Sequence, residues 1–182
     1  MFHYYIEPKV IPDFLTEDEI EYIKKESINK FTPSTIGDGV FDDNFRKSGT
    51  AFLKSNDPIE NSVVRKCASL TNKSVENVEI LQILRYTEGG HYNPHQDVCY
   101  HDKNNRLYTF IIALNDEYEG GETSFPNLNI KYKLKKGDAL FFHTLDNYEL
   151  VTCMALHSGE PVKSGEKWVC NLWVRKYPHN PT

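Results

Sequence analysis

The stretch that decides the fold of this 182-residue chain is His95-Gln96-Asp97. Its surroundings favour a β-strand, in which the side chains of residues i and i+2 lie on the same face. The pattern therefore predicts that the His95 imidazole and the Asp97 carboxylate can bind one ion, with Gln96 turned away. Two such ligands and one distant histidine make a 2-His-1-carboxylate site, which leaves positions open on Fe(II).

Two downstream histidines are candidates for the third ligand. His143 follows the apolar run Ala139-Leu140-Phe141-Phe142, which indicates a buried strand, and His157 comes later in the chain. The chemistry of the residues leaves both choices open. A zinc hydrolase can also use two histidines and one aspartate.

The composition is that of an ordinary globular protein, since charged residues make up 26% and hydrophobic residues 39% of the chain. The net charge of −5 argues against a nucleic-acid surface, which needs a basic face. No apolar stretch approaches the roughly 20 residues of a membrane span, and Met1–Glu7 does not resemble a signal peptide. We therefore expect no nucleic-acid partner, no membrane partner and a cytoplasmic location.

The four cysteines are scattered along the chain and form no C-x-x-C pair. At this density a disulfide framework is not expected, so the pattern predicts free thiols in a reducing compartment. They are Cys67, Cys99, Cys153 and Cys170.

Two helices are predicted in the first 77 residues. Thr16-Glu17-Asp18-Glu19 fits a capping box, and Asp57-Pro58 fits an N-cap followed by proline at the first helical position. Residues 31–50, between the helices, are predicted to form a long polar loop. The apolar positions expected to face the core are Ile20, Ile23 and Ile28 in the first helix and Ile59, Val63, Cys67 and Leu70 in the second.

From about residue 78 the sequence predicts strands, over 78–86, 106–114, 139–142 and 167–177. Strands that follow helices suggest a β-sandwich or jelly roll with the helices against one sheet. The two faces of the last strand differ: one carries Lys167, Val169, Asn171, Trp173 and Arg175, and the other carries Trp168, Cys170, Leu172 and Val174. The first face suits a pocket, in which an anionic ligand would pair with Lys167, because lysine is rarely buried alone.

Four ordered motifs resemble those of the iron- and 2-oxoglutarate-dependent prolyl 4-hydroxylases. They span residues 85–97 (RYTEGGHYNPHQD), 120–126 (GGETSFP), 136–142 (KGDALFF) and 157–168 (HSGEPVKSGEKW). The resemblance implies an α+β fold with a double-stranded β-helix (jelly-roll) core and N-terminal helices packed on one sheet. It also implies one catalytic domain over residues 1–182, with helical support to about 77 and the core over about 78–178.

The resemblance also implies roles for individual residues. It selects His157 over His143, because Lys167 follows His157 at the spacing the family shows between its distal histidine and its cosubstrate lysine. The implied iron ligands are therefore His95, Asp97 and His157. The residues implied for 2-oxoglutarate are Lys167, Tyr86, Thr109 and Trp173. The residues implied for substrate are Tyr92, Arg106, Trp173, Glu79, Arg46, Ser48 and Arg175, the last standing where some relatives carry histidine.

The implied activity is hydroxylation of proline within a peptide or protein, coupled to conversion of 2-oxoglutarate to succinate and CO2. Its cofactors would be Fe(II), 2-oxoglutarate and O2, with ascorbate as reductant. Hydroxylation of another residue or of a free amino acid is an alternative with the same chemistry. A non-catalytic jelly-roll binding module is a further alternative, against which the full ligand set and Lys167 argue. Residues 31–50 are expected to be mobile and to close over the peptide.

Overall fold

The computed structural model describes residues 2–37, 39–54, 57–100 and 102–179, so Asp38 of the predicted loop lies outside the described residues. Two α-helices and fourteen β-strands are found within this part of the chain. The helices are α1 (Glu17–Ser27) and α2 (Pro58–Thr71). The strands are β1 (Lys9–Ile11), β2 (Thr32–Pro33), β3 (Arg46–Lys47), β4 (Gly49–Leu53), β5 (Leu81–Tyr86), β6 (His91–His95), β7 (Arg106–Ala113), β8 (Tyr118–Gly120), β9 (Thr123–Phe125), β10 (Ile130–Tyr132), β11 (Ala139–His143), β12 (His157–Gly159), β13 (Val162–Gly165) and β14 (Lys167–Arg175).

Antiparallel pairing arranges these strands in a large and a small sheet with one extra pair. The large sheet has seven strands in the order β1-β11-β7-β14-β5-β4-β2, and the small sheet has five in the order β10-β9-β12-β6-β3. Strands β13 and β8 form the remaining pair. This is the predicted jelly roll, and its first 77 residues contribute strands to both sheets as well as the two helices.

Two apolar cores lie on opposite faces of the large sheet. One joins both helices to the sheet, with Ile23 and Val63 packing against the face of β14 that carries Cys170 and Leu172. The other fills the space between the sheets, where Val169 of β14 packs with residues of the small sheet. The alternation predicted for the last strand is therefore confirmed, and its mixed face looks into the space between the sheets.

The predicted helix starts are confirmed. Thr16 forms a capping box with Glu19, and Asp57 accepts a hydrogen bond from the backbone N–H of Ile59. Two of the predicted core positions are wrong, since Ile28 and Leu70 are exposed. Ile28 follows the last residue of α1, and the side chain of Leu70 lies on the solvent side of α2.

Residues 31–50 are not a continuous loop as predicted, because they contain β2, β3 and the start of β4. Strands of two residues leave no periodicity in the sequence, which is why the pattern did not show them. The pairing of β3 with β6 places Arg46 opposite Tyr92. The ends of the predicted strands also shift. β5 starts at Leu81 and not at residue 78, β6 ends at His95 before Asp97, and β14 ends at Arg175 and not at residue 177. β7 ends one residue earlier than predicted, and β11 ends one residue later.

All four cysteines are free thiols, as predicted, with Cys67 and Cys170 in the core beneath the helices. In the described part of the chain, no helix has both the length and the apolar character needed to cross a membrane.

Candidate active site

The predicted ligands His95, Asp97 and His157 meet between the two sheets. Strand β12 pairs with β6 so that His157 lies opposite His95, and Asp97 follows directly after the end of β6. One ligand atom from each of the three side chains lies within 4.8 Å of the others. The Nε2 atoms of His95 and His157 are each 3.7 Å from an oxygen of Asp97.

Both imidazoles are oriented to present Nε2 to an ion. The Nδ1 atom of His95 is 2.8 Å from the carbonyl oxygen of Asn93, and Nδ1 of His157 is 3.0 Å from that of Ala155. A carbonyl oxygen only accepts hydrogen bonds, so Nδ1 must carry the proton in each ring. The lone pair of Nε2 is then free for a metal, with the ring held by the backbone.

The electrostatics of the cluster favour the protonation states that bind metal. Burial, followed by the nearby His157, lowers the pKa of His95 to about 3, so this ring is neutral at neutral pH. Burial opposes ionisation of Asp97, but the surrounding His157, His95 and Arg106 outweigh it and lower its pKa to about 2. At neutral pH the cluster therefore offers an ionised Asp97 carboxylate beside a neutral His95 imidazole.

Neighbouring side chains hold the ligands in place. Thr109 of β7 donates a 2.7 Å hydrogen bond to Oδ2 of Asp97. The Tyr92 ring stacks on His95 with 3.5 Å between ring centroids, and the Arg46 guanidinium lies 4.4 Å from the Tyr92 ring centroid. These contacts fix both the carboxylate and the first imidazole before any ion is bound.

The cluster opens into a cavity of about 760 Å³ between the sheets. Such a volume lies within the range of small-molecule sites and exceeds the size of a five-carbon dicarboxylate. Nine of the predicted site residues line it: His95, Asp97, His157, Lys167, Tyr86, Trp173, Tyr92, Arg106 and Arg46.

Lys167 lies in the cavity wall as a buried cation. Its Nζ donates a 2.7 Å hydrogen bond to the carbonyl oxygen of Gly121, and no carboxylate of the described residues is within ion-pair distance. Burial, with Lys133 as the next cause, lowers the pKa of Lys167 to about 8. A buried ammonium without an acidic partner is costly, and an anionic ligand would supply the missing charge. Tyr86 is its neighbour across the β5–β14 pairing.

The four other predicted site residues lie behind the cavity wall, and each contacts a residue that lines it. Thr109 binds Asp97, as described above. The Ser48 hydroxyl accepts a 3.2 Å hydrogen bond from Nε of Arg46. Glu79 accepts two hydrogen bonds from Arg106, and Arg175 donates to Asp102, which is in the wall.

Several polar residues of the cavity wall were not predicted as site residues, among them Thr123 and Asn171. Thr123, in the GGETSFP motif, lines the cavity together with Lys167. Asn171 lies between Val169 and Trp173 on the mixed face of β14, and the alternation of that strand could have identified it. The Oδ1 atom of Asn171 is buried without a hydrogen-bond partner in the described structure, so it is available to a molecule in the cavity.

The donor set, the open cavity and the unpaired lysine fit an iron site that also binds a dicarboxylate. Two imidazoles and one carboxylate occupy one side of an ion and leave its other positions to ligands in the cavity. A jelly roll with this donor set and an unpaired lysine in its cavity is typical of the non-haem iron oxygenases that use an oxo-acid cosubstrate.

Comparison with known proteins identifies the family. The family model of the 2OG-Fe(II) oxygenase superfamily matches residues 81–175. A putative prolyl 4-hydroxylase of Acanthamoeba polyphaga mimivirus is 34% identical over 94% of this chain and 75% of that protein. The probable prolyl 4-hydroxylase 4 of Arabidopsis thaliana is 32% identical over 91% of this chain and 66% of that protein.

A solved structure agrees with these relatives. The viral collagen prolyl hydroxylase of Paramecium Bursaria Chlorella virus-1, in its 2OG complex, superimposes with a TM-score of 0.78 and 30% identity, covering 93% of this chain and 96% of that one. The chain belongs to the 2OG-Fe(II) oxygenase superfamily, and the relatives described above are named as prolyl hydroxylases, some of them as putative or probable ones. It is therefore a 2-oxoglutarate-dependent dioxygenase whose cofactors are Fe(II), 2-oxoglutarate and O2.

Proposed function

We propose that this enzyme is a prolyl 4-hydroxylase that acts on proline within a peptide or protein. The observation that carries the proposal is the shape of the site: one cavity contains the His-Asp-His cluster, the unpaired Lys167 and an aromatic and cationic wall formed by Tyr92, Arg106 and Trp173. Relatives named prolyl 4-hydroxylase match more than 90% of the chain, which supports the same activity here.

In this proposal His95, Asp97 and His157 hold the iron. Bound Fe(II) supplies oxidative decarboxylation of 2-oxoglutarate, in which one atom of O2 enters succinate and the other enters the substrate C–H bond as hydroxyl, with release of CO2. The protein supplies binding, orientation and protection from water. A neutral His95 and an ionised Asp97 have at neutral pH the protonation states that bind a metal.

Lys167 would bind the distal carboxylate of 2-oxoglutarate through a charge-assisted hydrogen bond. Tyr86 and Thr123 border the same part of the cavity and would contact the cosubstrate beside it. Trp173 would border both cosubstrate and substrate, since it lies on the same face of β14 as Lys167. Thr109 would act on the iron site and not on 2-oxoglutarate, because its hydroxyl is already bonded to Asp97.

The peptide would enter along the side of the cavity formed by Tyr92, Arg106 and Arg46. The Arg106 guanidinium lies 3.7 Å from the centroid of the Trp173 ring, and this contact helps to hold it at the cavity wall. Its Nη1 atom makes no hydrogen bond within the described structure and can donate to a peptide carbonyl. Aromatic walls suit proline-rich segments, whose extended backbone already has low conformational entropy.

Mass spectrometry of a peptide panel tests the proposal. Peptides with proline in collagen-like, serine-proline and single-proline contexts would be incubated with enzyme, Fe(II), 2-oxoglutarate and ascorbate. We expect one added oxygen on proline, identified as 4-hydroxyproline by amino-acid analysis, and no reaction of matched peptides with alanine for proline. Oxygen on another residue would support the alternative hydroxylase, and the absence of any 2-oxoglutarate turnover would support a binding module.

The cytoplasmic location expected from the sequence is also a proposal. The four free thiols support it, because thiols stay reduced in that compartment.

A further inference from the structure

Arg175, at the end of β14, is buried, and each of its three guanidinium nitrogens has a partner. Nε donates a 2.7 Å hydrogen bond to Oε1 of Glu79. Nη1 donates to Oδ2 of Asp102 at 2.6 Å and to the carbonyl oxygen of Asn104 at 2.9 Å, and Nη2 lies 3.8 Å from Sγ of Cys99. Four of its five N–H donors are thus directed at neighbouring protein groups, and its side chain does not line the cavity, so it is not placed to contact a substrate directly.

Glu79 connects Arg175 to Arg106. Its Oε1 atom accepts from Nε of both arginines at 2.7 Å, and its Oε2 accepts from Nη2 of Arg106 at 2.8 Å. Burial opposes ionisation of Glu79, but the two guanidinium groups outweigh it and lower its pKa. Removing Arg175 would therefore leave the Arg106–Glu79 pair in place but free the carboxylate to shift.

On its other side Arg175 holds the cavity wall that precedes β7. Cys99 and Asp102 line the cavity, and Asp102 accepts hydrogen bonds from both Arg175 and the backbone N–H of Asn104. Asn105 accepts from the backbone N–H groups of Cys99 and Arg106. Arg175 thus contacts this wall at Asp102, Asn104 and Cys99, and local turns hold the rest of it.

From this geometry we propose that Arg175 is a positioning residue for the peptide substrate and not a contact residue. Through Glu79 it sets the orientation of Arg106, and through Asp102 it holds the segment of the cavity wall that precedes β7. The inference rests on the proposed peptide hydroxylase function. It assigns Asp102, whose side chain is half exposed, a part in peptide binding that its surface position does not suggest.

A double-mutant cycle tests the inference with wild type, Arg175→Met, Asp102→Asn and the double variant. Arg175→Met leaves the Arg106–Glu79 pair charge-balanced, and Asp102→Asn keeps an oxygen for the turn at Asn104. We expect the peptide KM to rise about tenfold for Arg175→Met and about threefold for Asp102→Asn, with kcat and uncoupled 2-oxoglutarate turnover near wild type. The double variant should be no worse than Arg175→Met, because both substitutions break the same link.

Lys176→Met is the matched control, since Lys176 is the next residue and its ion pair with Glu149 lies at the surface. It should leave the peptide KM unchanged. The inference would be overturned if the two substitutions raised the peptide KM multiplicatively in the double variant, or if Asp102→Asn left the peptide KM unchanged. A loss of uncoupled 2-oxoglutarate turnover as large as the loss of peptide hydroxylation would overturn it too. Thermal unfolding shows whether each variant is folded.

Hydrogen exchange gives a second readout that does not need a peptide. The backbone amides of Cys99 and Asn104 should exchange faster in both single variants than in Lys176→Met, because the wall has lost its anchor. Unchanged exchange in Arg175→Met would overturn the positioning role. If wild type hydroxylates no proline peptide, the proposed function fails, and the exchange measurement alone decides whether Arg175 holds the wall.

Discussion

Thr109 of β7 donates its hydroxyl hydrogen to Oδ2 of Asp97, which lies beyond the end of β6. This bond crosses from the large sheet to the segment that follows a strand of the small sheet. It holds the carboxylate near both imidazoles, although Asp97 itself is not in a strand. The relationship gives Thr109 a role in the iron site and motivates the first prediction.

Thr109→Val keeps the shape of the side chain and removes the donor. We expect iron affinity to fall about 10- to 100-fold, the usual effect of losing a hydrogen bond to a metal ligand, with a smaller change in the KM for 2-oxoglutarate. Titration of apoenzyme with Fe(II) under anaerobic conditions measures the first quantity. Thr123→Val is the matched control. It should raise the KM for 2-oxoglutarate and leave the affinity for iron unchanged. A Thr109→Val enzyme with normal iron affinity and a raised 2-oxoglutarate KM would contradict this assignment.

The third ligand can be tested with a pair of histidine variants. His157→Ala should abolish iron binding and 2-oxoglutarate turnover, because an open three-ligand site has no ligand to spare. His143→Ala is the control, since His143 packs beside Tyr108 in the large sheet, away from the cluster. His143→Ala should retain both iron binding and 2-oxoglutarate turnover. Metal analysis of the two purified variants decides, and retention of iron by His157→Ala would remove His157 from the ligand set.

Lys167→Met should gain stability while it loses cosubstrate binding. The fall of the Lys167 pKa from 10.5 to about 8 corresponds to about 3 kcal/mol of destabilisation below pH 8. We therefore expect the free energy of unfolding to rise by up to about 3 kcal/mol in the variant, measured at pH 7 without 2-oxoglutarate. Between pH 8 and 10.5 the folded wild type releases a proton that the unfolded chain keeps, so the difference should shrink as pH rises.

Calorimetry on the same variant should show no 2-oxoglutarate binding at concentrations that saturate wild type. Unchanged affinity would mean that the cosubstrate carboxylate lies elsewhere. A stability difference that does not depend on pH would mean that Lys167 is not a strained cation.

Lys133 allows a test of how 2-oxoglutarate affinity falls at alkaline pH. Lys133 is the charged neighbour that, after burial, lowers the pKa of Lys167. The affinity for 2-oxoglutarate should fall above pH 8 in wild type, as the Lys167 ammonium loses its proton. Lys133→Met should move that fall to higher pH, and Lys131→Met, at an exposed lysine of β10, should not. The KM for 2-oxoglutarate between pH 7 and 9.5 is the measurement, and identical profiles for all three proteins would contradict the expectation.

The segment between β2 and β3 should contribute to peptide capture. Val40 and Phe41 are exposed apolar residues there, and the segment ends near Arg46 in the cavity wall. Replacing both with serine should reduce peptide hydroxylation several-fold and leave uncoupled 2-oxoglutarate turnover unchanged, because closure serves the peptide and not the iron. Leu70→Ser, at an exposed apolar position on α2, is the control. Equal loss of both activities would place the segment in the iron site.

Much of the fold could be predicted because it depends on local chemistry. The capping box at Thr16 and the proline after Asp57 are short-range signals, and both mark helix starts in the structure. The alternation along β14 assigned Cys170 to the helical core and Lys167 to the cavity, because successive residues of a strand face opposite sides. Strands β2 and β3 could not be predicted, since two residues carry no period.

The sequence by itself determined which residue types were present for the chemistry: a histidine and an aspartate two apart, a lysine on the polar face of a strand, and glycine-rich turns between strands. Tertiary structure alone decided how they meet. His143 and His157 were equivalent by chemistry, but β12 pairs with β6 and places His157 opposite His95, whereas β11 places His143 in the other sheet. In the same way Arg175 could have faced a substrate, and only folding brought Glu79 and Asp102 to its donors. Such contacts join residues far apart in the chain, and local sequence patterns do not encode which distant partner will satisfy a buried charge.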